Sequence, residues 1–167
     1  MIGDRWGVTD PEVARRYPCD DLVPAPVLQA WRGVTVQAPA DHVWLWVAQI
    51  RLAPYSYDWV DNLGRRSPRE RRNLAPPVTG GRFTAVGGRP VGRLLSVEPG
   101  IQLTAAIMGA VMSYVLVPAG DGRTRLLLKL VTARGRAAAP VLCLGDLVMA
   151  RKQLRTLAQR AERSQGR

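Results

Sequence analysis

Between residues 82 and 132 the chain passes through five short apolar runs, each closed by turn-forming residues, and it then ends in a single long amphipathic segment. The runs are Phe83 to Val86, Val91 to Val97, Ile101 to Met108, Val111 to Val117 and Thr124 to Thr132. Polar or small residues at Thr104, Gly109 and Ser113 break the 101–117 stretch, so it reads as strands and not as a membrane-crossing helix. Glu98-Pro99-Gly100 ends the second run, and Ala119-Gly120-Asp121-Gly122 separates the last two. Asp-Gly between apolar runs is a strong hairpin signal, and successive hairpins make an antiparallel meander.

The closing segment is read as a helix from Pro140, a residue suited to a first helical position. Leu144, Leu147, Val148, Leu154, Leu157, Ala158 and Ala161 share one face. Arg151, Lys152, Arg155, Arg160 and Arg163 load its later turns, where positive charge suits the helix dipole. A sheet with one apolar face must cover it, and this helix is the one segment long enough. Segregated strands and helices mean α+β. A sheet bent around one helix leaves space at one end that side chains do not fill, so a cavity is expected there.

Upstream, Trp31 to Ala38 alternates as a first strand. Pro39-Ala40-Asp41 starts a helix with Val43, Trp44, Val47 and Ile50 at helical spacing, and Pro54 ends it. Tyr55 to Leu63 is an aromatic-rich short helix or ordered loop. Residues 64–81 form a basic, proline-punctuated surface loop, expected to be the most mobile part of the domain. In the lead, Asp10-Pro11-Glu12 marks a short helix with Asp10 as N-cap, and Pro24 and Pro26 force an extended crossing. The expected division is residues 1–30 as an N-terminal extension, 31–163 as the domain and 164–167 as a frayed tail.

Two cysteines, Cys19 and Cys143, make neither a disulfide framework nor a metal motif, and the reduced pair is the expectation. With His42 as the single histidine, no metal site and no cofactor are expected. The N-terminus lacks the order of a signal peptide, which points to the cytoplasm. The formal net charge is +11, a surface that attracts nucleic acid, anionic lipid or acidic protein. Arg65, Arg66, Arg69, Arg71 and Arg72 concentrate it in the loop and offer a weak anionic surface contact. The loop has no interleaved aromatics of the kind that bind single strands, and it reads equally as a solvated charge run.

The residues proposed to line a binding cavity are Trp46, Tyr55, Tyr57, Asp58, Trp59, Asn62, Met108, Met112, Tyr114 and Met149. Aromatic rings with polar tips suit a cavity mouth, and methionines suit an adaptable wall. Asp58, Tyr55 and Tyr57 are weak candidates for proton transfer if partly buried. The competing reading makes Tyr57 and Trp59 core, Asp58 a helix cap and the methionines ordinary packing. Trp44 and Trp46, two apart, do not both face the core of one helix. Lys129 beside Tyr114 either points inward or lies solvated on the outer face. Asp146 and Arg51 either pair across the cavity or sit on its rim. No Ser-His-Asp or Cys-His arrangement and no nucleophile elbow is visible, and the glycines at 80–81 and 87–88 read as turns.

The order of these elements resembles the helix-grip superfamily, also called SRPBCC. It includes START lipid-transfer domains, plant pathogenesis-related ligand carriers and polyketide aromatase/cyclases. The resemblance is carried by Val34 to Trp44, running from first strand into helix; by Gly81-Arg82-Phe83; by Arg93 to Gly100; and by the closing helix. It covers roughly residues 31–163. The Tyr55 to Leu63 stretch is similar to one in uncharacterised bacterial members. The resemblance implies a curved antiparallel sheet around a long C-terminal helix, two short helices after the first strand, and a cavity for a hydrophobic ligand. Three functions are therefore expected in turn: binding or transport of an apolar or amphipathic small molecule, a polyketide cyclase or dehydratase-like reaction using pocket Asp and Tyr groups, and an interaction through the basic surface.

Overall fold

Each apolar run becomes a strand, and each pairs with its neighbour in sequence. The computed structural model describes residues 3–133 and 139–165. Its elements are β1 (Arg5–Trp6), α1 (Asp10–Ala14), β2 (Leu28–Val36), α2 (Ala40–Val47), α3 (Asp58–Asp61), β3 (Arg82–Val86), β4 (Arg89–Glu98), β5 (Gln102–Ile107), β6 (Ala110–Pro118), β7 (Thr124–Thr132) and α4 (Ala139–Gln165), with short 3₁₀ turns at Pro18–Asp20 and Ala48–Leu52. The described residues form one seven-stranded curved open sheet in the order β1-β2-β7-β6-β5-β4-β3. All pairs are antiparallel except β1 with β2. A register shift between Leu94 and Ser96 bends β4. The protein is α+β with the helix-grip arrangement: the sheet folds over α4.

The helical period of α4 reappears in its burial. Ala150, Leu154, Leu157, Ala158 and Ala161 pack against Val36, Trp46, Ile50, Leu126 and Leu128 on the inner face of the sheet and α2. The helix expected to run to Pro54 changes to 3₁₀ after Val47. Within α2 the buried stripe is Val43, Trp46 and Val47; the Trp46 indole N–H donates to Ser164 Oγ (3.0 Å), and Trp44 is half-buried at the core's margin. Ser164 lies within α4, which runs to Gln165.

The lead is part of the fold. The first strand begins at Leu28, three residues before Trp31, and the lead adds β1 beside it. Thr9, not Asp10, caps α1, because Glu12 stands at the third helical position and its carboxylate accepts from the Thr9 amide (2.8 Å). From there residues 8–23 cross the outer face of the sheet. Val8, Tyr17, Cys19 and Val23 cover Val115, Leu127 and Val131. Arg125 fastens the crossing with a two-pronged contact to Glu12 (2.7 and 2.9 Å) and a bond to Gly7 O (2.6 Å).

Under this cover lies Lys129, outward-facing yet only 5% exposed. Its ammonium pairs with Asp20 (2.5 Å) and sits over the rings of Tyr17 and Trp31 at 5.5 and 4.9 Å. It is neither a cavity group nor a solvated one, because the lead occupies the space that alternation alone would give to water. Cys19 is a free buried thiol, and burial pushes its pKa up. Its amide donates to Ser113 Oγ (3.0 Å), which contacts Thr104 Oγ1 (2.7 Å). The side chains of Cys143 and Asp146 lie outside the described residues. No helix among the described residues is long and apolar enough to cross a membrane.

Candidate functional site

The space between the sheet and the N-terminal half of α4 is a cavity of about 350 Å³. Strand alternation builds one wall: Met112 and Tyr114 of β6 and Leu128 of β7 point inward together. β3 adds Phe83, Thr84 and Val86, and α4 adds Met149, Ala150 and Gln153 at helical spacing. Pro54, Ser56, Asp61, Ile107 and Met108 complete the lining. Met108, in the β5–β6 turn with a left-handed backbone (φ 49°), is 93% exposed and stands at the rim.

Few polar groups face this apolar space, and they divide into two kinds. Gln153 is fully engaged: its Oε1 accepts from Tyr114 OH (2.6 Å), and its amide donates to Pro54 O (2.7 Å). That pair fixes the tyrosine tip and closes the core beside the cavity. Ser56 Oγ donates to Met149 O (3.0 Å). By contrast, Asp61 Oδ1 and Thr84 Oγ1 are buried with no hydrogen-bond partner among the described residues. Burial pushes the Asp61 carboxyl above its ordinary value. A carboxyl so placed is a ready proton donor or acceptor for whatever occupies the cavity.

Of the ten residues read from the sequence as cavity-lining, four stand together here: Met108, Met112, Tyr114 and Met149. The others lie elsewhere. Trp46 is core, edge-to-face with Tyr55 (6.4 Å, 85°). Trp59 is 78% exposed, and Tyr57 lies at the surface beneath the Lys152 ammonium (5.9 Å). Asn62 is a structural staple, donating to Arg65 O (2.6 Å) and accepting from the Gly87 amide (3.0 Å). Asp58 spends both oxygens on Ser67, accepting from its amide (2.8 Å) and its hydroxyl (2.5 Å). It therefore ties down the basic loop and lies outside the apolar cavity. Tyr55 is fully buried with a left-handed backbone (φ 57°), and its hydroxyl has no partner among the described residues.

Asp61, Thr84, Phe83 and Gln153 were not singled out from the sequence. Gln153 carried a usable signal, a polar residue three positions after Ala150 within the apolar stripe of α4. Asp61 carried a weaker one, one helical turn beyond Asp58. The basic loop is fastened to the domain at several points. Gln49 exchanges two bonds with the Arg72 backbone (2.8 and 3.2 Å), and Arg51 donates to Ala75 O (2.6 Å). Arg51 thus belongs to the loop's anchorage.

Beside the apolar cavity, and sharing Ser56 with it, is a polar hollow of about 190 Å³ walled by Tyr55, Asp58, Ser67, Lys152, Arg160 and Arg163.

No family model and no curated protein sequence matches the chain. Its structure is similar to solved ones. A crystal structure of a protein from Mesorhizobium loti aligns with TM-score 0.56 at 17% identity, over 81% of this chain and 98% of that one. A solution structure of a protein from Thermobifida fusca aligns with TM-score 0.54 at 23% identity, over 81% and 93%. DynU16, a protein of the dynemicin biosynthetic locus, aligns with TM-score 0.50 at 22% identity, over 77% of this chain and 46% of that one. At these identities the likeness is one of architecture, so the chain shares its fold with these proteins and its function must be argued from its own cavity.

Proposed function

We propose that this protein binds an apolar or amphipathic small molecule in the cavity between sheet and α4, in the manner of the SRPBCC superfamily it resembles. The supporting observation is an apolar chamber of about 350 Å³ in which two buried polar atoms, on Asp61 and Thr84, are left for a ligand to satisfy. Its size is at the small end for ligand pockets. Burying roughly 300 Å² of apolar ligand surface at ~25 cal/mol per Å² gives about 7.5 kcal/mol before ordering costs, short of the roughly 8 kcal/mol of micromolar binding, so hydrogen bonds to Asp61 and Thr84 must add to it. The test combines native mass spectrometry of gently purified protein with titration by a neutral solvatochromic dye such as Nile red. Ala150→Phe, which fills the chamber from α4, should abolish dye binding while far-UV circular dichroism stays native. Equal dye binding by the filled variant refutes the reading.

Asp61 favours a second reading, a cyclase or dehydratase-like reaction in the same chamber. Here Asp61 takes the proton-transfer role that Asp58, Tyr55 and Tyr57 were expected to fill. Asp61→Asn then abolishes turnover of a bound polyketide-like substrate while leaving binding within a few-fold. Undiminished turnover removes Asp61 from the chemistry.

A further inference from the structure

We propose that the polar hollow beside the apolar chamber is a binding site for a phosphate-class oxyanion. The hollow holds about 190 Å³, space for a compact anion and its waters and not for a polymer. Lys152, Thr156, Gln159, Arg160 and Arg163 line it from successive turns of one face of α4. Three cations face one lining carboxylate, Asp58, so the local balance is 3 − 1 = +2. Both oxygens of that carboxylate are already engaged by Ser67.

The second observation is Tyr55. It is 0% exposed, its hydroxyl has no hydrogen-bond partner among the described residues, and it forms part of the hollow's wall. Packing against Trp46 and a left-handed backbone hold it there. A buried hydroxyl without a partner is rare in a folded protein and calls for a ligand group. Arg160 spends one bond on Arg69 O (3.3 Å), and a guanidinium has five N–H donors in a fork that matches phosphate geometry. Burial, and then the nearby charges of Arg69 and Arg163, hold Arg160 below its ordinary pKa. A bound oxyanion offsets that repulsion among cations. Glu70 lies across the adjoining hollow with Arg69 and Arg71, where it is outnumbered. The inference is independent of what fills the apolar chamber.

The experiment is isothermal titration of the full chain at low salt with inorganic phosphate and with phenyl phosphate, alongside flotation on phosphatidylcholine vesicles containing phosphatidic acid. Saturable one-site binding of either soluble phosphate is expected. Arg160→Gln weakens it about tenfold or more, in line with loss of a charge-assisted bond. Tyr55→Phe weakens it about threefold or more. Arg89→Gln, an exposed cation on β4, leaves it unchanged. Tighter binding of phenyl phosphate identifies a phosphorylated small molecule as the source, and equal binding identifies free phosphate. Should Tyr55→Phe fail to fold, Arg163→Gln replaces it as the second variant, with the same expected loss. Absence of phosphate binding, vesicle binding alone, or equal losses in Arg89→Gln and Arg160→Gln overturns the assignment.

Discussion

Replacing Asp20 by Asn tests the claim that the lead is a structural layer of this fold. The side chain of Lys129 is 5% exposed and that of Asp20 26%, with their charged atoms 2.5 Å apart. Asn keeps one acceptor for the Tyr17 amide, which Asp20 Oδ2 now serves at 2.9 Å, but presents its NH2 where Oδ1 met Lys129, so the change removes both the charge and the acceptor that Lys129 uses. Stripping the partner from a buried ion costs about 3–5 kcal/mol. The partial exposure of Asp20 and the two aromatic rings over the ammonium reduce that to about 2–3 kcal/mol. For a chain of this length the fall in Tm is roughly 5–10 °C. Lys129→Met keeps the length of the side chain and its burial under Trp31, and costs less, about 1 kcal/mol. The double variant should match Lys129→Met alone, giving a coupling of about 2 kcal/mol. Urea titration followed by tryptophan fluorescence measures all three. A loss below about 0.5 kcal/mol in Asp20→Asn, or zero coupling, refutes the burial of Lys129 by the lead.

Three further outcomes follow from named contacts. The Asp61 carboxyl is held above its ordinary value of 3.8 by burial, so the native state carries a cost at neutral pH that vanishes as pH falls below that value. Asp61→Asn should therefore raise Tm at neutral pH, with the gap closing in acid, as calorimetry across pH would show; a constant gap contradicts it. Burial, reinforced by the Glu12 charge, pushes the Tyr17 phenol from 10.0 up to about 12. Because the unfolded phenol ionises first, stability falls as pH rises from 10 towards 12, and phenolate absorbance at Tyr17 should appear together with loss of circular dichroism. Tyr17→Phe, which also gives up the bond to Glu12 O, removes that part of the alkaline transition. Asp58→Ala frees the Ser67 end of the basic loop, and trypsin should cleave between Arg65 and Arg72 about tenfold faster; unchanged cleavage means the other fastenings suffice.

The strands were legible because their local signals agree. The Asp121-Gly122 turn and the alternation on either side of it placed β7 at Thr124–Thr132, where the structure has it. β4 and β5 began or ended a residue or two away from their apolar runs. The methionines were proposed for their soft, adaptable side chains, and the structure places Met112 and Met149 on the cavity wall and Met108 at its rim, while alternation left the face of Tyr114 open. What failed was whatever depends on docking. Alternation assigns Lys129 to a face and says nothing of a proline-rich lead lying over it. In α3, which has four residues, rotation of less than one turn decides whether Asp58 or Asp61 meets the cavity. The loop between Asn62 and Arg82 settles that rotation through Asp58–Ser67 and Asn62–Gly87, and no periodicity encodes those pairings. The two-residue spacing showed that Trp44 and Trp46 could not share a face, but the stripe was placed on Trp44, whereas Val43, Trp46, Val47 and Ile50 form the buried face and Trp44 stands at its margin.

Ser56 belongs to both chambers at once, and its hydroxyl is tied to the backbone of α4 at Met149. The segment from Pro54 to Asp58 is therefore a partition with a different solvent on each side. Displacing it from one side must alter the room on the other, and by linkage the effect is equal in both directions. A molecule seated on one side would then be felt on the other through the Ser56–Met149 tie, although neither hollow needs the other filled in order to exist.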